Sequence, residues 1–588
     1  MDSKHVTEST SGQEDIQKTW WKEAIIYQIY PRSFQDSDGD GIGDLNGITS
    51  RLDYIQSLGV DIIWLNPIFL SPNDDNGYDI SDYREIMREF GTMEDFDRLL
   101  KEIHKREMRL VLDLVVNHTS DEHPWFEEAR KSRHNPYYNY YHWWPAEKGE
   151  PPLRLSYFDE EGNAWMYNKS TDSYYLHYFS RKQPDLNWEN PEVRQEIFDM
   201  MRFWFDKGID GFRMDSISLI AKDPSFPLID SKKYPDIFSF YAKEPRLHLY
   251  LHEMNRQVLS KYDCMSVGEG SAVMVDDVAK FVDPAREELN MLYHFDAARI
   301  RNTTLPDNPE SGIDYSLIAL KKMFTEWDKA VDKGWPSIYL GNHDQPRMVS
   351  RFGSDKDEFR ALSAKMLITF LLTMKGTPYW FAGDEIGMRN IRFDRIENYN
   401  DIDTINRYKK AKAEGKDPQA VLDEQKETGR DNARTPFQWD RSPEAGFTAG
   451  TPWLKVNPDY TWINVTDEEK DPTSILNYFK KVVSFRKENP SLIYGSYHLL
   501  DAENPQSYTF LRKTGADTYL IMLNFSPKAA ISTPGIDMSN AHVLLDNYGD
   551  RSHMAPQKDI TLRPFEAIVF QLNHPVYESF IDSLDLLE

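Results

Sequence analysis

Three acidic residues stand at the ends of short apolar runs. Asp215 closes Gly211-Phe212-Arg213-Met214-Asp215, Glu269 follows Met265-Ser266-Val267-Gly268, and Asp344 ends Asn342-His343-Asp344. Short apolar runs of this kind read as buried strands, so each carboxylate is delivered at a strand end. Cleaving a glycosidic bond takes one carboxylate as nucleophile or base and one carboxylic acid as proton donor, with their pKa values pushed apart. Arg213 is expected to lower the pKa of Asp215 and keep it ionised. Glu269 has no cation beside it in sequence, so partial burial and acidic neighbours are expected to keep it protonated. An acidic pocket also stabilises an oxocarbenium-like transition state, and neighbouring histidines can hydrogen-bond sugar hydroxyls. Taken singly, an Asp at a strand end is an ordinary helix N-cap. Several such groups on one face point to chemistry.

The elements that must position these groups alternate between strand and helix. Strands are predicted at Ala24–Tyr30, Asp61–Asn66, Arg109–Asn117, Gly208–Asp215, Asp263–Glu269, Leu292–Phe295, Ser337–Asn342 and Thr377–Ala382. Helices are predicted at Ile48–Leu58, Met93–Arg106, Pro191–Lys207 and Ile475–Glu488. Eight strands with helices between them predict an α/β fold, a (β/α)8 TIM barrel, whose chemistry sits at the C-terminal strand ends. His118 to about Asn187 breaks the alternation with Tyr, Trp, Pro and charge, and reads as an irregular or antiparallel insertion (domain B, 118–187) after the third strand. The barrel takes 21–117 and 188–495, with a polar excursion at about 391–435. Residues 1–20 read as a disordered tail. From residue 496 to 588, short alternating runs such as YTFLRK and TYLIMLNF predict a C-terminal antiparallel β domain.

Composition bounds the partners. The 588 residues carry a formal charge of −27, which repels phosphates and argues against nucleic acid and anionic membranes. Fifteen Trp and 32 Tyr suit stacking on sugar faces as well as core packing. The one cysteine, Cys264, allows no intramolecular disulfide. The first residues, MDSKHVTESTSGQED, contain no apolar targeting stretch, and no apolar run reaches the ~18–20 residues of a membrane helix. A cytoplasmic monomer acting on a small sugar is expected. There is no GxSxG elbow, Walker A loop, HExxH or CxxC to suggest other chemistry.

Two further groups stand out. Asp36-Ser37-Asp38-Gly39-Asp40-Gly41-Ile42-Gly43-Asp44 places carboxylates at positions 1, 3, 5 and 9, Gly at 6 and a backbone carbonyl at 7, the oxygen order of a calcium loop. A strand precedes it and position 12 is Gly47, so it is not an EF-hand; one structural Ca2+ is expected. Gly77-Tyr78-Asp79 offers a ring for stacking and a carboxylate for hydroxyls, and Arg430 is positioned in composition to pair with Asp79 bidentately.

These residues resemble glycoside hydrolase family 13, the α-amylase superfamily, in its oligo-1,6-glucosidase, α-glucosidase and sucrose isomerase branch. The resemblance runs over about residues 20–570 and rests on AIIYQIYPRSFQDSDGDGIGDLNGI, GYDISDY, DLVVNHTS, QPDLNWENPEV, GFRMDS, VGE, NHDQPR and GRDNARTPFQWD. It implies a barrel, a domain B after strand three and a C-terminal β-sandwich. It implies Asp215 as nucleophile, Glu269 as acid/base and Asp344 as transition-state stabiliser. Tyr78, Asp79, His118, Phe179, Arg213, His343 and Arg430 would line the subsite for the non-reducing glucose, with an Asp79–Arg430 pair closing its end. Calcium ligands would be Asp36, Asp38, Asp40, the Ile42 carbonyl and Asp44. The implied activity is a retaining exo-α-glucosidase on isomaltose-, maltose- or sucrose-like substrates; the alternative is a sucrose isomerase or transglucosidase using the same glucosyl-enzyme. Two departures weigh against the alternative. Arg299-Ile300-Arg301-Asn302-Thr303 stands where isomerases carry an RLDRD-type motif, and Tyr399 is preceded by Asn398 rather than Glu. Ser216, after the nucleophile, is neither the Val of α-1,6 nor the Ala or Thr of α-1,4 members.

Overall fold

Eight parallel strands form the centre of the computed structural model, which describes residues 18–572 except 159–161, 235, 516 and 553–556. They are β1 (Ile26–Ile29), β2 (Ile62–Leu65), β3 (Arg109–Val115), β4 (Gly211–Asp215), β5 (Met265–Glu269), β6 (Met291–Tyr293), β7 (Ser337–Ile338) and β8 (Thr377–Phe381). All eight fall inside the predicted segments or within one residue of them. The order is β6-β5-β4-β3-β2-β1-β8-β7, and the Ser337 hydroxyl donates to the Leu292 carbonyl at 2.9 Å where β7 meets β6. The result is a nearly closed (β/α)8 barrel.

The period of two along each strand explains both layers of core. Leu110, Leu112 and Leu114 of β3, and Phe212 and Met214 of β4, face the outer helices. Val111, with Ile26, Trp64, Val267 and Tyr293 from other strands, fills the barrel interior. Gly211 is required where β4 starts, because a Cβ there would meet the Met265 carbonyl oxygen at 2.3 Å.

The outer helices start and stop where side chains cap them. Met93–Lys105 opens on a Thr92–Asp95 capping box. Pro191–Lys207 opens on Asn190 with Pro at its first turn and ends on left-handed Gly208. Ile475–Glu488 opens on Ser474. The helix expected over Ile48–Leu58 is instead two short helices, Leu45–Ser50 and Leu52–Ser57. They break at Arg51, which stacks on Trp439 at 4.0 Å and bonds Gln35. The polar excursion likewise holds two helices, Ile402–Ala413 and Pro418–Thr428, separated at left-handed Gly415 and the Asp417 N-cap.

After β3 comes a three-stranded antiparallel sheet of Trp143–Pro145, Ser173–Leu176 and Trp165–Asn168. Its Trp165, Leu176 and Tyr178 pack on Phe226 and Tyr241 from the segment after β4, a contact between distant segments that local pattern does not reveal. Residues 496–572 hold a five-stranded and a two-stranded antiparallel sheet with Leu511, Met522, Leu562 and Phe570 in the core they share. The helix Arg360–Thr373 lies between barrel and sheet, buried nearly all round. Most of the tail expected over residues 1–20 lies outside the described residues; Trp20 begins a helix and its indole bonds Asp263 at 2.9 Å. Among the described residues no helix is long and apolar enough to cross a membrane.

Candidate active site

The C-terminal ends of β3, β4, β5 and β6 bring one Arg and three acids together. Arg213 and Asp215 share the inward face of β4, two residues apart. The Arg213 guanidinium is fully buried. Its Nη1 donates to Asp113 at 2.7 Å and to Asp215 at 2.8 Å; its Nη2 donates to Glu269 at 2.6 Å and to the Tyr293 hydroxyl. The chain turns at Ser216, whose φ of 41° is left-handed and unusual for a residue with a Cβ. That turn points the Ser216 N–H at Glu269 Oε2, 3.1 Å away, while the Ser271 hydroxyl donates to Oε1 at 3.0 Å.

Burial decides the proton affinities. It pushes Glu269 up to about 8, with Arg213 opposing and Asp215 and Asp344 reinforcing the rise. Asp215 is pushed up to about 6 by burial, which outweighs the pull of Arg213. The expectation that Arg213 leaves Asp215 below the usual carboxylate range is therefore corrected, because a strand-end neighbour does not reveal the desolvation the fold imposes. Nor is Glu269 without a cation, since Arg213 reaches both acids. The order survives: Asp215 loses its proton before Glu269.

Asp344, after β7, is held differently. Arg430 approaches it at 3.3 Å, Arg434 at 3.1 Å and His343 Nε2 at 3.2 Å. Burial raises its pKa, but His343, Arg430 and Arg434 lower it by more, so it stays well below the usual range. His343 itself is pushed down to about 3 by burial. Gln28 donates to His343 Nδ1 at 2.9 Å, so the proton sits on Nε2 and faces Asp344.

The glucose-lining residues expected from the resemblance mostly converge. Tyr78 stacks on His343 with ring centroids 5.2 Å apart, and its hydroxyl donates to Asp113 at 3.0 Å. His118 touches Phe179 at 5.1 Å. Burial holds His118 neutral, down to about 4. Its nitrogens are already engaged by the Tyr78 carbonyl and Asn117, so it is a preset wall more than a free donor. With Asp215, Glu269 and Asp344, these side chains line one cavity of about 360 Å³, a size suited to a small sugar.

Arg213, wholly buried, holds the acids but does not itself line the cavity. Asp79 is the other exception. It is fully buried and its carboxylate accepts the backbone N–H groups of Asp74 and Asp75 at 2.8 and 3.0 Å. It fixes the turn and does not line the cavity. The acid of this turn that reaches Arg430 is Asp75, 3.4 Å from its Nη2, and the same nitrogen lies 2.5 Å from Asp401. The Asp79–Arg430 pair is thus corrected to Asp75–Arg430. Burial pushes Asp75 up to about 7, against the pull of Arg430. The left-handed Gly77 reverses the chain, so Asp75, and not Asp79, faces the same cavity as Tyr78. Asp113 was also missed, though an Asp inside the apolar run RLVLDLVVN is a visible signal. Phe158 lies under Arg430 at 4.8 Å. Tyr399 is buried against Phe393 and bonds its carbonyl, away from the cavity. Arg299 does reach the cavity, from the helix Asp296–Thr303.

The family model for the alpha-amylase catalytic domain matches residues 28–495, from β1 through the last helix of the barrel set. The chain belongs to the α-amylase family. Within that family it is similar to the oligo-1,6-glucosidase of Parageobacillus thermoglucosidasius, 51% identical over 571 residues that cover 95% of this chain and all of that protein. It is 43% identical to the trehalose-6-phosphate hydrolase of Bacillus subtilis, over 95% of this chain and 99% of that one. Among α-amylase-family structures it resembles the trehalulose synthase MutB of Pseudomonas mesoacidophila MX-45, with a TM-score of 0.89 and 42% identity over 94% of this chain and 99% of that chain. This member of the family is a glycoside hydrolase of the oligo-1,6-glucosidase, α-glucosidase and sucrose isomerase branch.

In the loop after β1, oxygens of Asp36, Asp38 and Asp40 lie within 4.8 Å of one another. The Asp44 carboxylate N-caps the helix Leu45–Ser50 through the Gly47 N–H at 2.7 Å and reaches back to the loop, accepting the Ser37 N–H and hydroxyl at 2.7 and 2.8 Å. Members of this family commonly bind structural calcium, and the three converging carboxylates are the hard oxygen donors such an ion takes.

Proposed function

We propose that the protein is a retaining, exo-acting α-glucosidase that removes terminal α-linked glucose from short oligosaccharides or disaccharides. One observation carries this reading: a single guanidinium grips both Asp215 and Glu269 while burial gives them different proton affinities. Ionised Asp215 attacks the anomeric carbon, and the C–O bond to the leaving group breaks as Glu269 protonates that oxygen. Glu269 then takes a proton from water, whose oxygen attacks the same carbon and releases Asp215 and α-glucose. A shared guanidinium is compatible with the ~5–5.5 Å carboxyl spacing of retaining enzymes rather than the wider inverting one. Asp344 grips the hydroxyls beside the anomeric carbon. The Asp75–Arg430 pair, braced by Asp401, closes the glucose end and supports removal of single units. A panel of isomaltose, maltose and sucrose with product identification tests this. Glucose as the main product is expected; chiefly isomaltulose or trehalulose from sucrose would favour the isomerase reading, which the MutB likeness keeps specific.

The pH profile follows from the same two groups. Nucleophilic attack needs Asp215 ionised, so kcat/KM rises as pH passes about 6. Proton donation needs Glu269 protonated, so kcat/KM falls as pH passes about 8. A bell with limbs near these values is expected, each limb belonging to the coupled pair. A profile still rising above pH 9 would contradict the assignment of Glu269.

We read Asp36, Asp38, Asp40, the Ile42 carbonyl and Asp44 as the holders of one structural calcium ion. Burial and the charges of Asp38, Asp36 and Asp44 raise the pKa of Asp40, a repulsion that a bound cation would relieve. Chelation is expected to lower Tm by a few °C, since a ligand at a hundred times its Kd stabilises by ~2.7 kcal/mol. An identical Tm with EDTA and with millimolar calcium would remove the site from the account. A monomeric, cytoplasmic enzyme completes the reading; a chain with one cysteine folds without a disulfide of its own, as suits a reducing compartment.

A further inference from the structure

Gln345 follows Asp344 directly and its side chain lines the same cavity. Behind it stands Arg351, only 5% exposed. No carboxylate is among the groups acting on its guanidinium, which feels Tyr339, Arg301 and Tyr315. Nη1 donates to Gln345 Oε1. Nε and Nη2 have no partner among the described residues. A buried cation without a counter-charge is expensive to keep, so its one directed bond calls for a reason.

That reason is the orientation of an amide. A guanidinium has five N–H donors and no acceptor. The carboxamide of Gln345 can turn only its oxygen toward Arg351, whichever way the amide is drawn. Its NH2 group, which only donates, is then left for the cavity. We propose that Arg351 is a positioning residue that presets Gln345 as a hydrogen-bond donor to the leaving-group sugar.

The leaving-group side follows from where these residues are tied. The Arg351 carbonyl accepts from Arg301 Nε at 2.6 Å. Arg301 shares the helix Asp296–Thr303 with Arg299, which lines the cavity with Phe295. The opposite end is held by Asp75 and Arg430. This inference rests on the α-glucosidase reading and deepens it, assigning the enzyme to substrates whose leaving group offers hydroxyl oxygens as acceptors, as a sugar does; a p-nitrophenyl ring has none and carries only the weakly accepting nitro oxygens at its far end.

The test compares kcat/KM for isomaltose with that for p-nitrophenyl α-glucoside in Arg351→Met, Arg351→Lys and Gln345→Glu. Gln345→Glu keeps the contact with Arg351 but turns acceptors toward the cavity, so it separates orientation from folding. Arg351→Met and Gln345→Glu are expected to lose about 3–10-fold on isomaltose relative to the aryl glucoside, the scale of one neutral hydrogen bond. The loss should fall chiefly in KM, and Arg351→Lys, which still only donates, should recover part of it. Equal losses on both substrates, or no loss in Gln345→Glu, would overturn the proposal alone. A wild-type enzyme inactive on both substrates would overturn the α-glucosidase reading and this one with it.

Discussion

Asp215→Ala is expected to lose turnover on the order of 10⁵-fold on every substrate, aryl glucosides included, the scale seen when a covalent nucleophile is removed. The fold is expected to survive the change. Asp215 has a folded pKa of about 6, above the ordinary value for an Asp. An acid with a raised folded pKa opposes folding once the pH exceeds its unfolded value, because the native state resists its ionisation. Removing it at pH 7 therefore relieves that opposition. Arg213 keeps Asp113 and Glu269 as partners. An unchanged or higher Tm with lost activity separates a functional role from a structural one. Glu269→Gln should behave differently, losing about 10²–10⁴-fold on disaccharides and less on aryl glucosides, whose leaving groups need little protonation. A variant Asp215→Ala retaining a tenth of wild-type activity would end the covalent assignment.

Arg213→Met is expected to damage both stability and turnover. Among the described residues Arg213 is the one cation that Asp113, Asp215 and Glu269 share; it and Asp113 are fully buried, and the other two acids nearly so. Breaking a buried ion pair by removing one member typically costs about 3–5 kcal/mol, because the remaining charges stay buried without compensation. Here three acids lose the same partner. Some of that loss is relieved by protonation, which is the second consequence. Without Arg213, Asp215 holds its proton to higher pH, and the acid limb of kcat/KM moves upward. Loss of at least about 10³-fold at pH 6, partly recovered toward pH 8, is expected from misplacing both carboxylates at once. Unfolding measured by Tm and a pH-rate profile check the two effects independently. A variant with wild-type Tm and an unmoved acid limb would show that Arg213 does not bind the acids together.

Much of this was legible in the amino acids, for identifiable reasons. Each barrel strand is a short apolar run, and Asp215, Glu269 and Asp344 stand where such runs end. Period-two alternation alone puts Arg213 beside Asp215. What local pattern misses is set by the tertiary fold. Arg430 meets Asp75 across 355 positions, and only the reversal at Gly77 shows why Asp79 turns inward instead. The pKa of Asp215 reverses its expected direction because desolvation is a property of the assembled pocket, whereas a neighbouring Arg is visible in the chain. Tyr399 packs on Phe393 and bonds its carbonyl, since the excursion that carries it folds back on its own small core. Asp113 and Gln345 carried signals that went unread. The first is a charge inside an apolar strand, and the second a polar residue next to a catalytic acid.

The central claim is that Asp215 forms a covalent bond to glucose while Glu269 handles the proton. Azide rescue tests it most directly, because the anomeric configuration of the product reports which step the missing carboxylate served. In Asp215→Ala, azide takes the vacated face and displaces the leaving group directly, so β-glucosyl azide is predicted. In Glu269→Ala, supplied with an aryl glucoside whose leaving group needs no proton, Asp215 still forms the intermediate and azide then attacks it, so α-glucosyl azide is predicted. Proton NMR of the anomeric signal distinguishes the two. The opposite pairing of configurations, or the same anomer from both variants, would contradict the account.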